Sequence, residues 1–499
     1  MIRLAIACVC GVFVVTGNFN AQAPEGESHR PLPVPRTRPE MKQRLEELKS
    51  RVPRIPLPTD VEPVPDPSSA RANDYETRLK RHYLDGEESP WRGAHTRGRT
   101  PALTRDAAGG TAAPDAEGLR PSSGATPNHA FSVELFWIVS RVNNCHYCLG
   151  HQETKLLAAG RSEERIASLD GDWGDFPAEE RVAFEFARKL TYRPDLIGDE
   201  DVDALRSYYD DRQILEMLLS LAWNNSINRW KEGIGVPQRD DEGGYSRLRV
   251  AAGGPDSGSA GRERLPRGSF LTPTPEPFGD RISKVAPIAL DPHAKLPSGL
   301  TAFRRPPLES FDEVERRLEA CRRRVPRLRL PSGESRTAPE GHLDASGEPP
   351  HSPGPVWNWM RLIRSAPHDG EERLGRLLAL ESNRDLSPLS KAQLRWLVAR
   401  QDRAWYVVGH ALRELRELGQ SDAEIASLDT LSSSENDPDR AIFRLAVTLS
   451  ASPVMLTDDH VAEAVRLAGP ARVTQAIRYV AHLAAFNRVT EAAGLPLEW

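Results

Sequence analysis

Residues 143–151 of the chain read NNCHYCLGH, and residues 402–410 read DRAWYVVGH. The two stretches lie 259 positions apart and share three residues: Tyr147, Gly150 and His151 match Tyr406, Gly409 and His410. The two cysteines of the first stretch have no counterpart, because Ala404 and Val407 stand in their places. Residues common to both stretches are therefore expected to determine the fold, whereas the cysteines are candidates for chemistry.

The same offset aligns a long part of the chain without a gap. Matching positions include Leu135 with Leu394, Trp137 with Trp396, Arg141 with Arg400, residues 166–170 with 425–429, Asn228 with Asn487, Arg229 with Arg488 and Pro237 with Pro496. An upstream segment also corresponds, at an offset of 273 that places residues 51–53 on 324–326. A constant offset over so many positions predicts a tandem duplication.

Apolar residues recur at helical rather than strand spacing. Met41, Leu45 and Leu48 form one such stripe, and no segment alternates with period two, so the predicted fold class is all-α. We divide the chain into a signal peptide (1–23), a Pro-rich segment with short helices and a linker (24–128), a helical domain (129–240), a Pro/Gly-rich linker (241–306) and a second helical domain (307–499). The interpretation is of two helical domains in tandem.

The N-terminus has the pattern of an export signal. Arg3 precedes an apolar run over residues 4–16, and the small-residue pattern Ala-Gln-Ala follows at 21–23. This pattern predicts cleavage after residue 23 and an exported protein, periplasmic or secreted. No later apolar stretch is long enough for a membrane span. The net charge of -5 gives no electrostatic footprint for nucleic acid.

Three cysteines remain after removal of the signal peptide: Cys145, Cys148 and Cys321. Three cysteines in a chain of this length do not make a disulfide scaffold. Cys145 and Cys148 are three residues apart, a spacing that brings two sulfurs within disulfide distance on a helix. Asn143 and Asn144 are N-cap types, so a helix start is predicted there with Cys145 in its first turn. The positive end of that helix would stabilise a thiolate.

Two further residues are candidates for the same site. His151 follows Cys148 by three residues and would share its face as a base, although the survival of His410 without thiols equally favours a structural histidine. Glu134 matches Gln393 in the second half. It lies roughly 16 Å before the cysteines along an unbroken helix, so it reaches them only if the chain turns at residues 143–144. The alternative for Glu134 is a solvated helix residue.

Other recurrent or isolated residues have structural interpretations. Cys321 falls on Leu48 of the first half at the 273 offset, which predicts a buried apolar position. Asn228 and Arg229 recur in both halves and are interpreted as a cap and an ion pair rather than as catalytic residues.

Glu134, the run Cys145-His146-Tyr147-Cys148 and His151 together resemble the motif of the alkylhydroperoxidase AhpD-like and carboxymuconolactone decarboxylase family. The resemblance covers roughly residues 131–238. It implies an all-α fold, homo-oligomers, and no cofactor or metal. It also implies that Cys148 attacks a hydroperoxide, Cys145 resolves it as a disulfide, and Glu134 with His151 relays protons. The histidine is one residue closer to the second cysteine than in the family, and Gln152 occupies the usual place.

Four functions remain open from the sequence. The leading hypothesis is an exported thiol-dependent peroxidase or disulfide oxidoreductase, with a hydroperoxide or disulfide substrate and a thiol reductant as partners. The second is a non-enzymatic helical scaffold with a structural disulfide. The third is a metal site of Cys145, Cys148 and His151, with His146 as the nearby candidate for a fourth ligand. The fourth is a decarboxylase-like protein of unknown activity.

Overall fold

The computed structural model of the chain describes nine stretches: residues 30–58, 74–84, 129–239, 268–287, 307–331, 357–367, 369–382, 386–430 and 436–499. Within these residues the chain forms 17 α-helices and no strand, which confirms the predicted all-α class. The proposed signal peptide lies outside the described residues. No described helix is both long enough and apolar enough to pass through a membrane.

Eight helices belong to the first half of the chain, residues 30–287. They are α1 (Arg38–Glu47), α2 (Tyr75–Tyr83), α3 (His129–Asn143), α4 (His146–Ala158), α5 (Glu163–Ser168), α6 (Ala178–Tyr192), α7 (Asp199–Arg206) and α8 (Asp211–Ile234). Side-chain caps fix several starts. The Asp210 side chain accepts a hydrogen bond from Gln213 N, and the Gln213 side chain accepts one from Asp210 N, which together cap α8.

Nine helices belong to the second half, residues 307–499. They are α9 (Phe311–Arg322), α10 (Asn358–Arg364), α11 (Gly370–Ser382), α12 (Pro388–Asp402), α13 (Trp405–Glu417), α14 (Asp422–Leu428), α15 (Pro438–Ser450), α16 (Asp458–Ala468) and α17 (Pro470–Ala492). The bounds of α12 and α13 lie 259 positions after those of α3 and α4, and α9 begins 273 positions after α1. The helix boundaries therefore follow the same two offsets as the sequence.

The two longest helices, α8 and α17, pack against each other at the centre of the molecule. Their backbones approach closely, because a side chain added at Gly233 of α8 would collide with Ile477 of α17. The apolar side chains buried around them form one core that extends through both halves. Matching positions of the two halves contribute equivalent side chains to this core; Trp137 and Trp396, for example, are both fully buried.

Two buried arginines join the halves by reciprocal hydrogen bonds. Arg229 Nη2 donates to Ser450 O at 3.1 Å, and Arg488 Nη2 donates to Thr191 O at 2.7 Å. The two arginines are 259 positions apart, and the two residues that accept their hydrogen bonds are also 259 positions apart. Each half thus offers the other the same donor and the same acceptor, as the two subunits of a twofold-symmetric dimer do.

Asn228 does not cap a helix, contrary to the interpretation from sequence. It lies inside α8, where its Oδ1 accepts from Asn143 Nδ2 at 2.9 Å and its Nδ2 donates to Ser140 Oγ at 3.1 Å. Asn143 in turn accepts from Ser452 Oγ of the second half at 2.8 Å. Asn228 therefore belongs to a buried polar network that orients α3 against α8.

Part of the expected linker 241–306 packs against the first half. Residues 268–287, here called the strap, place Phe270 in a fully buried position beside α1 and α4. Lys42 Nζ donates to Thr272 O at 2.8 Å, and Ser283 Oγ donates to Asp170 Oδ1 at 2.6 Å. Buried apolar side chains and satisfied backbone groups make this segment part of the fold.

The fold predicts that Arg488→Met destabilises the protein strongly. Arg488 Nη1 lies 3.2 Å from Asp402 Oδ2, and both side chains are fully buried, so the substitution leaves a buried carboxylate without its cation. We expect a loss of about 3–5 kcal/mol in the free energy of unfolding, measured by urea denaturation. The double variant Asp402→Asn/Arg488→Met should lose less, because no uncompensated charge remains. Arg466→Met, at an exposed position of α16, is the control and should change stability by less than about 0.5 kcal/mol. Equal losses for Arg488→Met and the control would contradict the assignment.

Candidate dithiol site

The chain reverses direction between α3 and α4, as the asparagine pair indicated. Asn144 has a φ of 58°, in the left-handed region that asparagine adopts more readily than most residues. Arg403 has a φ of 51° at the matching position of the second half. Cys145 then serves as the N-cap residue of α4, so it precedes the first turn rather than lying in it as predicted.

Cys145 and Cys148 form a disulfide, with their Cα atoms 5.4 Å apart. Their exposed fractions are 0% and 2%, so both sulfurs are inside the protein. Cys148 lies in the first turn of α4, where the unpaired backbone N–H groups and the positive end of the helix dipole favour a thiolate. The stabilisation that the sequence assigned to Cys145 therefore acts more strongly on Cys148.

The buried His146 side chain is anchored beside the disulfide. Its Nε2 lies 3.0 Å from Asn144 Oδ1, and Asn144 Nδ2 donates to Leu32 O at 3.0 Å and to Pro33 O at 3.2 Å. Burial, followed by the positive charge of Arg51, lowers the pKa of His146 to about 3. His146 is therefore neutral at physiological pH. Residues 30–37, here called the N-terminal cover, lie over this end of the site.

His151 is half-buried and stacks on the ring of Tyr147, with ring centroids 6.3 Å apart. The matching pair in the second half also makes contact, with the rings of Tyr406 and His410 4.6 Å apart. His410 Nε2 lies 3.3 Å from Glu498 Oε2. Because the same contact forms where thiols are absent, the structural interpretation of His151 is favoured.

Glu134 is fully buried and forms ion pairs with two arginines. Its Oε1 lies 2.9 Å from Arg161 Nε and 2.9 Å from Arg165 Nε, and its Oε2 accepts from Arg165 Nη2 at 3.1 Å. The second half replaces all three residues together, with Gln393, Gln420 and Glu424 at the matching positions. The restriction of Glu134 to the first half is thus accounted for by its two arginine partners, which the second half also lacks.

A different carboxylate, Glu232, lies near the start of α4. The preceding residue, Lys231, holds its ammonium 4.4 Å from the centre of the Tyr147 ring, so the last turn of α8 borders the first turn of α4. Glu232 is 2% exposed, and its Oε2 accepts from Arg51 Nη1 at 3.2 Å. Among the described residues, Glu232 Oε1 has no hydrogen-bond partner.

The matching residue Glu491 shows what this carboxylate contacts in the absence of thiols. Glu491 Oε1 accepts from Tyr406 N at 3.3 Å, in the first turn of α13, and from Arg324 Nη1 at 3.0 Å. The second half therefore places a buried glutamate at the N-terminus of α13, and Glu232 is the matching residue on α8 of the first half. The sequence signal for this carboxylate is the match of Glu232 with Glu491 at the 259 offset, which belongs to the residues common to both halves.

Gly150 and Gln152 complete the inner face of α4. A side chain at Gly150 would collide with Gln238 and come within 2.9 Å of Phe270 Cζ, which explains why only glycine fits there. Gln152 lies one turn after Cys148 and is 1% exposed. Its Oε1 has no hydrogen-bond partner among the described residues. The buried polar side chain one turn after Cys148 is thus Gln152, whereas His151 lies nearer the surface.

The metal hypothesis lacks a ligand set in the part of the chain that is described. No group of three or more histidine, cysteine, aspartate or glutamate side chains there is arranged to hold a metal ion. The two cysteines are bonded to each other, and His146 bonds to Asn144.

Comparisons with known proteins give one distant relative. No protein-family model matches the chain. A segment of 96 residues is 29% identical to the uncharacterized protein YdfG of Bacillus subtilis (strain 168). The match takes in 18% of this chain and 63% of that protein's length. The name of that protein states no activity, so nothing about the function of this chain follows from the match.

The buried His146 predicts a pH-dependent stability. The pKa of His146 is about 3 in the folded chain, whereas unfolded histidine titrates near 6.5, so the unfolded chain binds a proton that the folded chain excludes. Stability should therefore fall as the pH drops below about 6.5, by up to about 1.4 kcal/mol per pH unit. Urea unfolding of the wild type and of His146→Gln between about pH 7.5 and 4.5 measures this slope. The wild type should show the steeper dependence, and equal slopes would refute it.

Proposed function

We propose that the chain is a thiol-dependent oxidoreductase that acts outside the cytoplasm and reduces hydroperoxides with the Cys145–Cys148 dithiol. The observation that carries the proposal is the pairing of the two cysteines at the N-terminus of α4, with Cys148 in the first helical turn. The matching helix start of the second half has Ala404 and Val407 instead. The same turn and helix start therefore form in the second half without thiols.

The reaction consumes one hydroperoxide and two thiols. The Cys148 thiolate attacks one oxygen of the peroxide, so that an S–O bond forms and the O–O bond breaks. The leaving alkoxide takes a proton and departs as an alcohol. The Cys145 thiol then attacks the Cys148 sulfenic acid, a disulfide forms, and water leaves. An external dithiol restores the site by thiol–disulfide exchange and becomes oxidised itself.

Glu232 is the group that we assign to proton transfer. A buried carboxylate beside a thiol can accept the thiol proton and return it to the leaving alkoxide. Arg51 holds one oxygen of Glu232 at 3.2 Å, and the other oxygen has no hydrogen-bond partner among the described residues. Glu134, which the family resemblance indicates for this role, is held by two arginines.

Burial of both sulfurs sets a condition on turnover. A hydroperoxide reaches Cys148 only when part of the surrounding structure moves, since the side chain is 2% exposed. The N-terminal cover is the element that would open. It has no regular helix before Thr37, and backbone carbonyls at Leu32 and Pro33 hold it to Asn144.

A structural disulfide is the second candidate function, and the burial of both sulfurs favours it. The disulfide closes only a short loop, and this limits how much it can stabilise the folded state. In the chain-entropy account, closure of a loop of about four residues stabilises the folded state by about 2 kcal/mol, less than the about 3 kcal/mol of a 15-residue loop. Under this alternative, reduction lowers the thermal midpoint and the protein consumes no hydroperoxide.

Cysteine variants test the proposed reaction. With an added dithiol as reductant, Cys148→Ser should reduce hydroperoxide consumption to the uncatalysed rate, because the attacking sulfur is lost. Cys145→Ser should stop after one attack and accumulate a Cys148 sulfenic acid, detected by a sulfenic-acid-specific label and mass spectrometry. Cys321→Ser serves as the control and should retain activity, because burial raises the pKa of the Cys321 thiol to about 12. Full activity in Cys148→Ser would exclude the mechanism.

Matched glutamate variants test the acid–base assignment. Glu232→Gln should lower kcat by about a hundredfold and remove one ionisation from the pH profile of kcat/KM. Glu491→Gln makes the same change at the matching position of the second half, where no thiol pair exists. It should leave both the rate and the pH profile unchanged. Equal effects of the two substitutions would assign Glu232 a structural role only.

A further inference from the structure

The second half contains a groove between α9 and α13 with a volume of about 550 Å³. Its lining includes Glu315, Leu318, Arg322, Gly409, Leu497 and Trp499. The corresponding surface of the first half lies between α1 and α4, and there the strap covers it. Comparison of these two surfaces indicates what the groove can bind.

In the first half, Lys42 and Glu46 of α1 and Lys49, two residues after its end, bind alternate residues of the strap backbone, which turns where Thr272 N donates to Phe270 O at 2.8 Å. Lys49 Nζ donates to Gly268 O at 2.7 Å. Glu46 Oε2 accepts from Phe270 N at 2.9 Å. Lys42 Nζ donates to Thr272 O at 2.8 Å. Two turns of α1 and the turn that follows it thus each bind one of three alternate strap residues, 268, 270 and 272.

The ring of Phe270 supplies the apolar part of this contact. It is fully buried over Gly150, where an added side chain would come within 2.9 Å of Phe270 Cζ. Lys49 Nζ also lies 5.3 Å from the ring centre, within the range of a cation–π contact. The first-half surface is therefore a site for a peptide segment with one aromatic side chain and a turn directly after it.

The groove of the second half repeats the main parts of this site. At the 273 offset, Glu315, Leu318, Glu319 and Arg322 match Lys42, Leu45, Glu46 and Lys49, and at the 259 offset Gly409 and Leu497 match Gly150 and Gln238. The glycine, the apolar residue of the helix, the acceptor and the outer cation are all retained. The change from Lys42 to Glu315 reverses one charge.

We propose that this groove binds a peptide segment of a separate protein, with an aromatic residue followed two positions later by a basic residue. The aromatic ring would lie over Gly409 as Phe270 lies over Gly150. Arg322 donates to Trp499 O at 2.7 Å and to Glu319 Oε2 at 2.9 Å in the unbound chain. On binding, Arg322 would exchange these bonds for a backbone carbonyl two residues before the ring, and Glu319 would accept the backbone N–H of the aromatic residue. Glu315 replaces a donor with a carboxylate, so a lysine or arginine complements it.

The groove residues are accessible enough for this contact. The side chains of Glu315 and Arg322 are 44% and 34% exposed. Glu315 lies 3.0 Å from Arg416, which also pairs with Asp422 at 2.8 Å. Arg416 thus keeps a carboxylate partner when a peptide cation takes Glu315. The proposal does not depend on the dithiol chemistry of the first half.

Fluorescence anisotropy with the full-length protein tests the proposal. The probe is a labelled peptide that copies residues 267–274 of the strap with the change Thr272→Lys. We expect saturable binding that weakens at least tenfold when the peptide phenylalanine is replaced by alanine. Glu315→Lys in the protein should weaken binding by a similar factor, and a peptide with glutamate in place of the lysine should restore it.

Glu313→Lys is the matched control, because it makes the same charge change on α9 at a position that does not line the groove. It should leave binding within about twofold of the wild type. No saturable binding at about 1 mM protein, equal binding of the alanine peptide, or equal losses in Glu313→Lys and Glu315→Lys would each overturn the proposal.

Discussion

Two arginine side chains that cross between the halves set the geometry of the whole molecule. Arg229 and Arg488 are fully buried, and each donates to a backbone carbonyl of the opposite half. Because a buried guanidinium that loses its partners is costly, these bonds fix α8 against α17 in one arrangement. The α8–α17 pair in turn carries Lys231 and Glu232 to the start of α4. The position of the dithiol thus depends on the contact between halves.

Much of the fold was predictable from one internal comparison. The 259 offset aligned Trp137 with Trp396 and Arg141 with Arg400, and the structure buries both pairs. The spacing of apolar residues predicted the all-α class. Each helix buries one face, so apolar residues recur every three to four positions, and this repeat is visible in one sequence alone. The strap was not predictable in the same way. Its burial depends on three scattered apolar residues, Phe270, Val285 and Ala286, and on backbone contacts with distant side chains that leave no periodic pattern.

The candidate site was predicted in part. The cysteine spacing and the asparagine pair indicated a thiol pair at a helix start, and the structure has the disulfide there. The surrounding ionisable groups were beyond sequence reasoning, because long-range partners decide their roles. Glu134 meets Arg161 and Arg165, whereas Glu232 comes from a helix more than 80 positions away along the chain. That Glu232 lies on the turn of α8 next to the start of α4 follows only from how α8 packs on α4.

The most direct measurement of the central claim is the stoichiometry of one turnover. The fully reduced protein is mixed with one equivalent of a hydroperoxide, and thiol loss, alcohol release and the cysteine linkage are followed together by thiol titration and peptide mapping. The proposed mechanism predicts that two thiols are lost and one alcohol is released per hydroperoxide, with a Cys145–Cys148 disulfide as the protein product. Unchanged hydroperoxide in the presence of the free Cys145 and Cys148 thiols would contradict it.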